Sequence, residues 1–248
     1  ALIFLLIQCY HAFLAAILNV IHIPVNLITF GIFDLVAGAV FWFLIYKRKE
    51  KQQYIYGIID LIVVVCLLIA VVWFAKIRYY GLDLCINYKT VDPAPRFREA
   101  MDFVNTQGIS RMFYAQVVNG TMIELFAPFE QVDYYYRFYV LSDIVQLFVS
   151  GLMFFGAIRK YVKGKFLSVA SVIVTMIFLL GYPLNSTIYG FTYLGMGITL
   201  VAMLWVLTDL FMEESINKNL NIFLLMLGCH AMFQCYALFM PITYLAVI

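Results

Sequence analysis

Charged residues are scarce in this chain, and that scarcity excludes a great deal. Asp, Glu, Lys and Arg make up 12% of the sequence and hydrophobic residues 65%, against roughly 25% charged and roughly 45–50% apolar in soluble domains. A water-soluble globule has no interior large enough to hide so much apolar surface, and the mean hydropathy of +0.95 agrees. The formal net charge of +2 leaves no strong field to recruit nucleic acid or an acidic partner. Paired cysteines are lacking too. Cys9, Cys66, Cys85, Cys229 and Cys235 are scattered, with no CxxC pair and no zinc-type Cys/His spacing. Cys229, His230 and Cys235 share one apolar segment, where a free thiol commonly acts as a small hydrophobe, so no metal site is expected. The start shows no basic leader and no small-residue cleavage site. It lacks Met, and the chain stops inside an apolar run, which reads as a piece of a longer protein.

What the chain does have is long apolar runs. A helix needs about 20 mostly apolar residues to cross the hydrocarbon layer, where every backbone polar group must be paired internally. Stretches near 1–20, 24–46, 54–74, 135–158, 166–182, 188–210 and 220–245 meet or approach that length. Pro24 is tolerable in an opening turn. The expected fold is an all-α, polytopic transmembrane bundle of about seven spans in a lipid bilayer. Three spans fill 1–75, a long extracytoplasmic loop occupies 76–133, and the remaining spans fill 134–248.

Lys and Arg in short loops are retained in the cytoplasm and so set orientation. Lys47, Arg48, Lys49 and Lys51 form one basic loop, and Arg159, Lys160, Lys163 and Lys165 form another. Counting spans puts both on one side and the loop at 76–133 on the other. Connections longer than about 12–15 residues are usually functional or disordered. Phe97, Phe103, Phe113, Tyr114, Phe126 and Phe129 make this one too aromatic for a solvated tail.

Within the loop, Asp92-Pro93-Ala94-Pro95 reads as a helix start. Phe97, Ala100, Met101 and Val104 follow at helical spacing, and Gly108 is a plausible stop. A short amphipathic helix near 93–107, lying on the membrane with its apolar side down, is expected. Arg96, Arg98, Glu99, Asp102 and Asn105 form its polar face. Two readings stay open: Asp92 caps the helix and the arginines are solvated, or Asp92 is an acid–base group with Arg96 or Arg98 gripping a phosphate.

Asp34, Asp60 and Asp143 fall within apolar spans. Each would cost about 2.5–3.5 kcal/mol at a helix centre, so each should face protein or water. They would suit a transporter or flippase, although no internal repeat or matched pair of broken helices accompanies them. Gly190, Gly195 and Gly197 fit close helix packing. Tyr134, Tyr135, Tyr136 and Tyr139 fit an interfacial aromatic belt. Asn119-Gly120-Thr121 and Asn185-Ser186-Thr187 match the short glycosylation pattern.

The long outer loop, the acid at Asp92, the helix directly after it, and the later corner Tyr182-Pro183-Leu184-Asn185-Ser186, with Tyr189-Gly190-Phe191, together give a layout over 76–210. That layout resembles bacterial polytopic membrane proteins of the GT-C glycosyltransferase and polysaccharide-assembly type. The resemblance implies a bacterial plasma-membrane protein that takes sugar from a polyprenyl-phosphate donor. It implies an outer-loop acid as base, here Asp92, with Glu99 or Asp102 as substitutes. Two features depart from the family pattern: the loop follows the third span, and no paired-acid motif sits at a span's outer end. A non-catalytic component of an envelope complex, docking a partner through the loop, is the other alternative.

Overall fold

The computed structural model describes residues 1–46, 58–73, 81, 83–85, 92–110, 114–161, 165–181, 187 and 191–241, with side chains except at 41–46, 59 and 165–168. Among the described residues the protein is all-helical, without a strand. Helix α1 (Leu2–Val20) ends where His22 turns to a left-handed φ of 57° and Pro24 bars continuation. Helix α2 (Leu27–Tyr46) begins three residues after Pro24, because the Asn26 carboxamide oxygen accepts from the Thr29 N–H at 2.9 Å and the Thr29 hydroxyl at 3.0 Å. Then come α3 (Ile58–Val72), α4 (Pro93–Thr106), α5 (Tyr114–Phe126), α6 (Tyr136–Tyr161), α7 (Lys165–Leu180), α8 (Thr192–Met212) and α9 (Lys218–Cys235). The Asn217 side chain caps α9, accepting from the N–H groups of Asn219 and Leu220. That helix stops at Cys235, where Tyr236 turns to an extended conformation.

Among the described residues, four helices are long and apolar enough to cross a membrane: Leu2–Val20, Val132–Tyr161, Thr192–Met212 and Lys218–Phe239. The apolar stretches Leu27–Val40, Asp60–Val72 and Val169–Leu180 are shorter. The basic loop at 47–51, the corner at 182–186 and the tail at 242–248 lie outside the described residues.

Helices α6, α8 and α9 form the trunk, with α7 and α3 on α6 and with α1 on α9. Helix α8 meets α9 closely because Gly228 has no side chain: a Cβ there would sit 2.6 Å from Leu204 Cδ2. At one end of the trunk the charges are tied together. Lys160 Nζ lies 2.9 Å from Asp209 and 3.2 Å from Glu213, and Arg159 reaches Asp60 at 3.9 Å.

The other end differs from the expected loop. Its chain forms a helical hairpin, α4 and α5, built into the bundle. Helix α5 packs on α4, α6, α1 and α9, with Tyr114, Gln116, Val117, Asn119 and Gly120 buried. The apolar stripe of α4 meets protein, with Ala100 and Phe103 buried and Phe97 edge-on to Tyr139 at 5.7 Å between ring centres. Asn119 is buried and accepts from the Ser142 hydroxyl at 2.6 Å, so this copy of the glycosylation pattern cannot carry a glycan in the folded protein. The tyrosine belt divides as well: Tyr139 is 1% exposed, and the Tyr135 hydroxyl donates back to the Ala127 carbonyl at 3.2 Å.

Candidate functional site

Helix α4 starts at Asp92, whose carbonyl accepts from the Arg96 N–H at 3.3 Å. The Asp92 carboxylate makes no capping hydrogen bond, although Pro93 follows it as a capping pair would have it. Capping therefore does not occupy this side chain. One turn on, Arg96 Nη1 donates to both oxygens of Glu99, at 2.9 and 2.7 Å. The contact is charge-assisted and runs through a single guanidinium nitrogen. The same guanidinium stands 5.0 Å above the Tyr193 ring at the start of α8. From α5, Gln116 Nε2 donates to the Glu99 carbonyl at 2.9 Å, which pins this turn of α4 to its hairpin partner.

These groups wall a cavity of about 270 Å³ where α4, α5, α8 and α9 meet. Arg96 and Glu99 form one side, Tyr193 and Tyr236 another, and Phe233, Gln234, Cys235 and Ala237 the rest, with Ala115 behind. The Tyr193 and Tyr236 rings lie 5.4 Å apart. Asp92 stands within electrostatic reach of the Tyr193 hydroxyl. Tyr139 lies within reach of Arg96, Glu99 and Asp143. Asp143 is buried, and its Oδ1 accepts from the Thr192 hydroxyl at 3.4 Å. The cavity thus joins a polar wall, with the Glu99 carboxylate and the Arg96 guanidinium, to the aromatic faces of Tyr193 and Tyr236.

The sequence candidates divide into two groups. Arg96 and Glu99 line the cavity, whereas Asp92 and Asp143 are not among its lining residues and lie nearby, toward Tyr193 and Thr192. Arg98 is exposed, and neither it nor Asp102 lines the cavity. Asp34 is held by His11, whose Nε2 lies 3.0 Å from each carboxylate oxygen while its ring stacks on Phe30. Asp60 pairs with Arg159 at the opposite end of the trunk. Sequence reading missed Tyr193, Gln234 and Tyr236. The one available signal was Thr192-Tyr193 opening an apolar run, since a Tyr at a span's start sits where polar contacts are still available.

Among the described residues no three His, Cys, Asp or Glu side chains converge as a metal ion would require. His230 bonds Gln234 at 2.7 Å, and the Cys235 thiol donates to the Tyr193 carbonyl at 3.2 Å. In α5, Tyr114 donates to Gln8 Oε1 at 2.9 Å, and burial pushes its phenol well above the ordinary tyrosine range. Tyr114 is therefore a permanent donor in the core rather than a titrating group. Comparison with known protein families, with curated proteins and with solved structures found no match.

Proposed function

We propose that this protein is a membrane-embedded glycosyltransferase of the GT-C kind. It would transfer sugar from a polyprenyl-phosphate donor at the extracytoplasmic face of a bacterial plasma membrane, in the assembly of an envelope glycan. One observation supports this reading above the others: the Arg96–Glu99 pair lines a cavity with two tyrosine faces, one turn along α4 from an Asp92 carboxylate that makes no capping bond. In this reading the chain crosses the bilayer about seven times, the basic loops stay inside, and the hairpin of α4 and α5 closes the outer end of the bundle. Asp92 accepts the proton of the acceptor hydroxyl as that oxygen attacks the sugar's anomeric carbon. Arg96 steadies the departing lipid phosphate as negative charge builds on it. Glu99 holds the guanidinium, and Tyr193 and Tyr236 offer flat faces to the sugar.

The transporter reading needs Asp34 and Asp143 to share a water-filled path. Asp34 is held by His11 between α1 and α2, whereas Asp143 lies between α6 and α8, so that reading has less support. The experiment is Asp92→Asn in the full-length protein, assayed in membrane vesicles with a polyprenyl-phosphate sugar. Loss of general-base function predicts a fall in transfer of about 10²–10⁴-fold with expression intact. Unchanged transfer removes Asp92 from the mechanism. Phe97 and Met101 pack against the core, so their substitution would test folding rather than docking.

A further inference from the structure

The turn between α5 and α6 exposes apolar side chains on a segment that is otherwise rigidly held. Phe129 is 82% exposed, Val132 63% and Leu125 52%, all within eight residues. Flexibility does not account for this, because the turn is fastened at several points. Phe126 stacks on Phe138 with ring centres 5.1 Å apart, Tyr135 donates to the Ala127 carbonyl, and two short 3-10 turns, Ala127–Phe129 and Val132–Tyr134, fix the backbone between. A large ring held outward on a fixed backbone faces water at full hydrophobic cost unless another phase covers it.

The position in the fold identifies that phase. This turn leads into α6, part of the candidate span Val132–Tyr161. With its 26 residues, α6 is about 39 Å long, against a hydrocarbon layer of roughly 30 Å. Its first turns therefore stand at the level where acyl chains give way to headgroups. There Arg137 is framed by Tyr134, with its guanidinium 4.4 Å from that ring's centre, and by Tyr136 at 5.9 Å, with Glu130 at 3.8 Å. A cation among tyrosines, next to outward aromatic and aliphatic side chains, has the chemistry of a bilayer interface.

We propose that this turn is a membrane-interface anchor: Phe129, Val132 and Leu125 enter the outer edge of the acyl region, and Arg137 lies among the lipid phosphates. The anchor follows α5 directly and would hold the outer end of α6, on which α5 packs, at the lipid surface. It does not depend on any particular chemistry in that cavity.

The test places a tryptophan on the turn. Phe129→Trp in the full chain, reconstituted into phosphatidylcholine vesicles, is compared with the unaltered protein, so that the emission of Trp42, Trp73 and Trp205 is subtracted. The added emission should be blue-shifted, insensitive to aqueous iodide, and cut about twofold or more by lipids brominated near the glycerol end of the acyl chain. Val132→Trp repeats the measurement if the first variant does not fold. Added emission at the wavelength of water-exposed indole, quenched by iodide and not by brominated lipid, overturns the proposal and leaves the patch to a protein partner. Loss of transfer in Asp92→Asn has no bearing on this result, so the two readings fail separately.

Discussion

At the scale of single residues, the hairpin depends on an absent side chain. A Cβ on Gly120 would sit 2.5 Å from Phe103 Cδ1, 2.6 Å from its Cγ and 2.9 Å from its Cβ. Phe103 is fully buried against its neighbours and has nowhere to retreat. Gly120→Ala should therefore separate α4 from α5 at a cost of about 1–3 kcal/mol, and Gly120→Val at more. Gly156 supplies the control, since an added Cβ there meets nothing within 4 Å. Gly156→Ala should be neutral or stabilising by up to about 1 kcal/mol, because Ala is the better helix former. Thermal unfolding in detergent separates the two, and equal melting points would show that α4 and α5 are not in the described contact. Residue chemistry also explains why this packing was hard to read. Gln116, Asn119 and Thr121 look like loop residues, yet each bonds inside the bundle: to the Glu99 carbonyl, the Ser142 hydroxyl and the Val117 carbonyl. A polar residue satisfied within the protein carries the same letter as one satisfied by water.

At the scale of elements, α1, α2, α6, α8 and α9 could be read from hydropathy, because a long apolar run in a helix has one solution in lipid. Helix α4 was legible for another reason, its apolar stripe at helical spacing following Asp-Pro. Nothing in that stripe told whether lipid or protein would cover it, and the answer came from α5, whose own periodicity is interrupted by polar groups. The tie between α5 and α2 was invisible for a related reason: Glu124 Oε2 accepts from the Leu27 N–H at 3.0 Å across 97 residues, and no local pattern encodes such a partner. That tie should respond to pH. Burial raises the Glu124 carboxyl above its ordinary value of 4.5, outweighing the hydrogen bond that favours the charged form. The folded protein then holds this proton more tightly than the unfolded chain does. Below pH 4.5 both states are protonated and the group costs nothing. As pH rises through the raised folded value, the charged form must be kept half-buried and stability falls. Glu124→Gln keeps a carbonyl acceptor for Leu27 and removes the charge, so its melting temperature should gain on that of the unaltered protein as pH rises from about 4 to about 7. Parallel pH profiles for the two proteins would show that Glu124 is not buried as described.

At the scale of the whole molecule, the two ends of the trunk have different chemistry, and this asymmetry decides on which face any reaction occurs. One end gathers Arg159, Lys160, Asp60, Asp209 and Glu213 into ion pairs. Pairing does not weaken the orientation argument, because topology follows Lys and Arg near span ends and Asp and Glu contribute little. The other end carries the hairpin, the cavity and the turn with Phe129. The proposed function requires the cavity to open at the outer leaflet, and on that proposal the two ends lie on opposite sides of the membrane. Cysteine reporters test this once the exposed Cys66 and Cys85 and the partly exposed Cys229 are replaced by Ser, which leaves only the buried Cys9 and Cys235. Arg98→Cys, on the exposed face of α4, should react with a membrane-impermeant maleimide in intact cells. Glu214→Cys, exposed between α8 and α9, should react only after permeabilisation. Labelling of the Glu214 position alone in intact cells would invert the protein and put Asp92 in the cytoplasm, away from any outer-leaflet donor. Labelling of both positions in intact cells would mean that α8 does not cross, leaving the basic ends without the role in orientation argued for them.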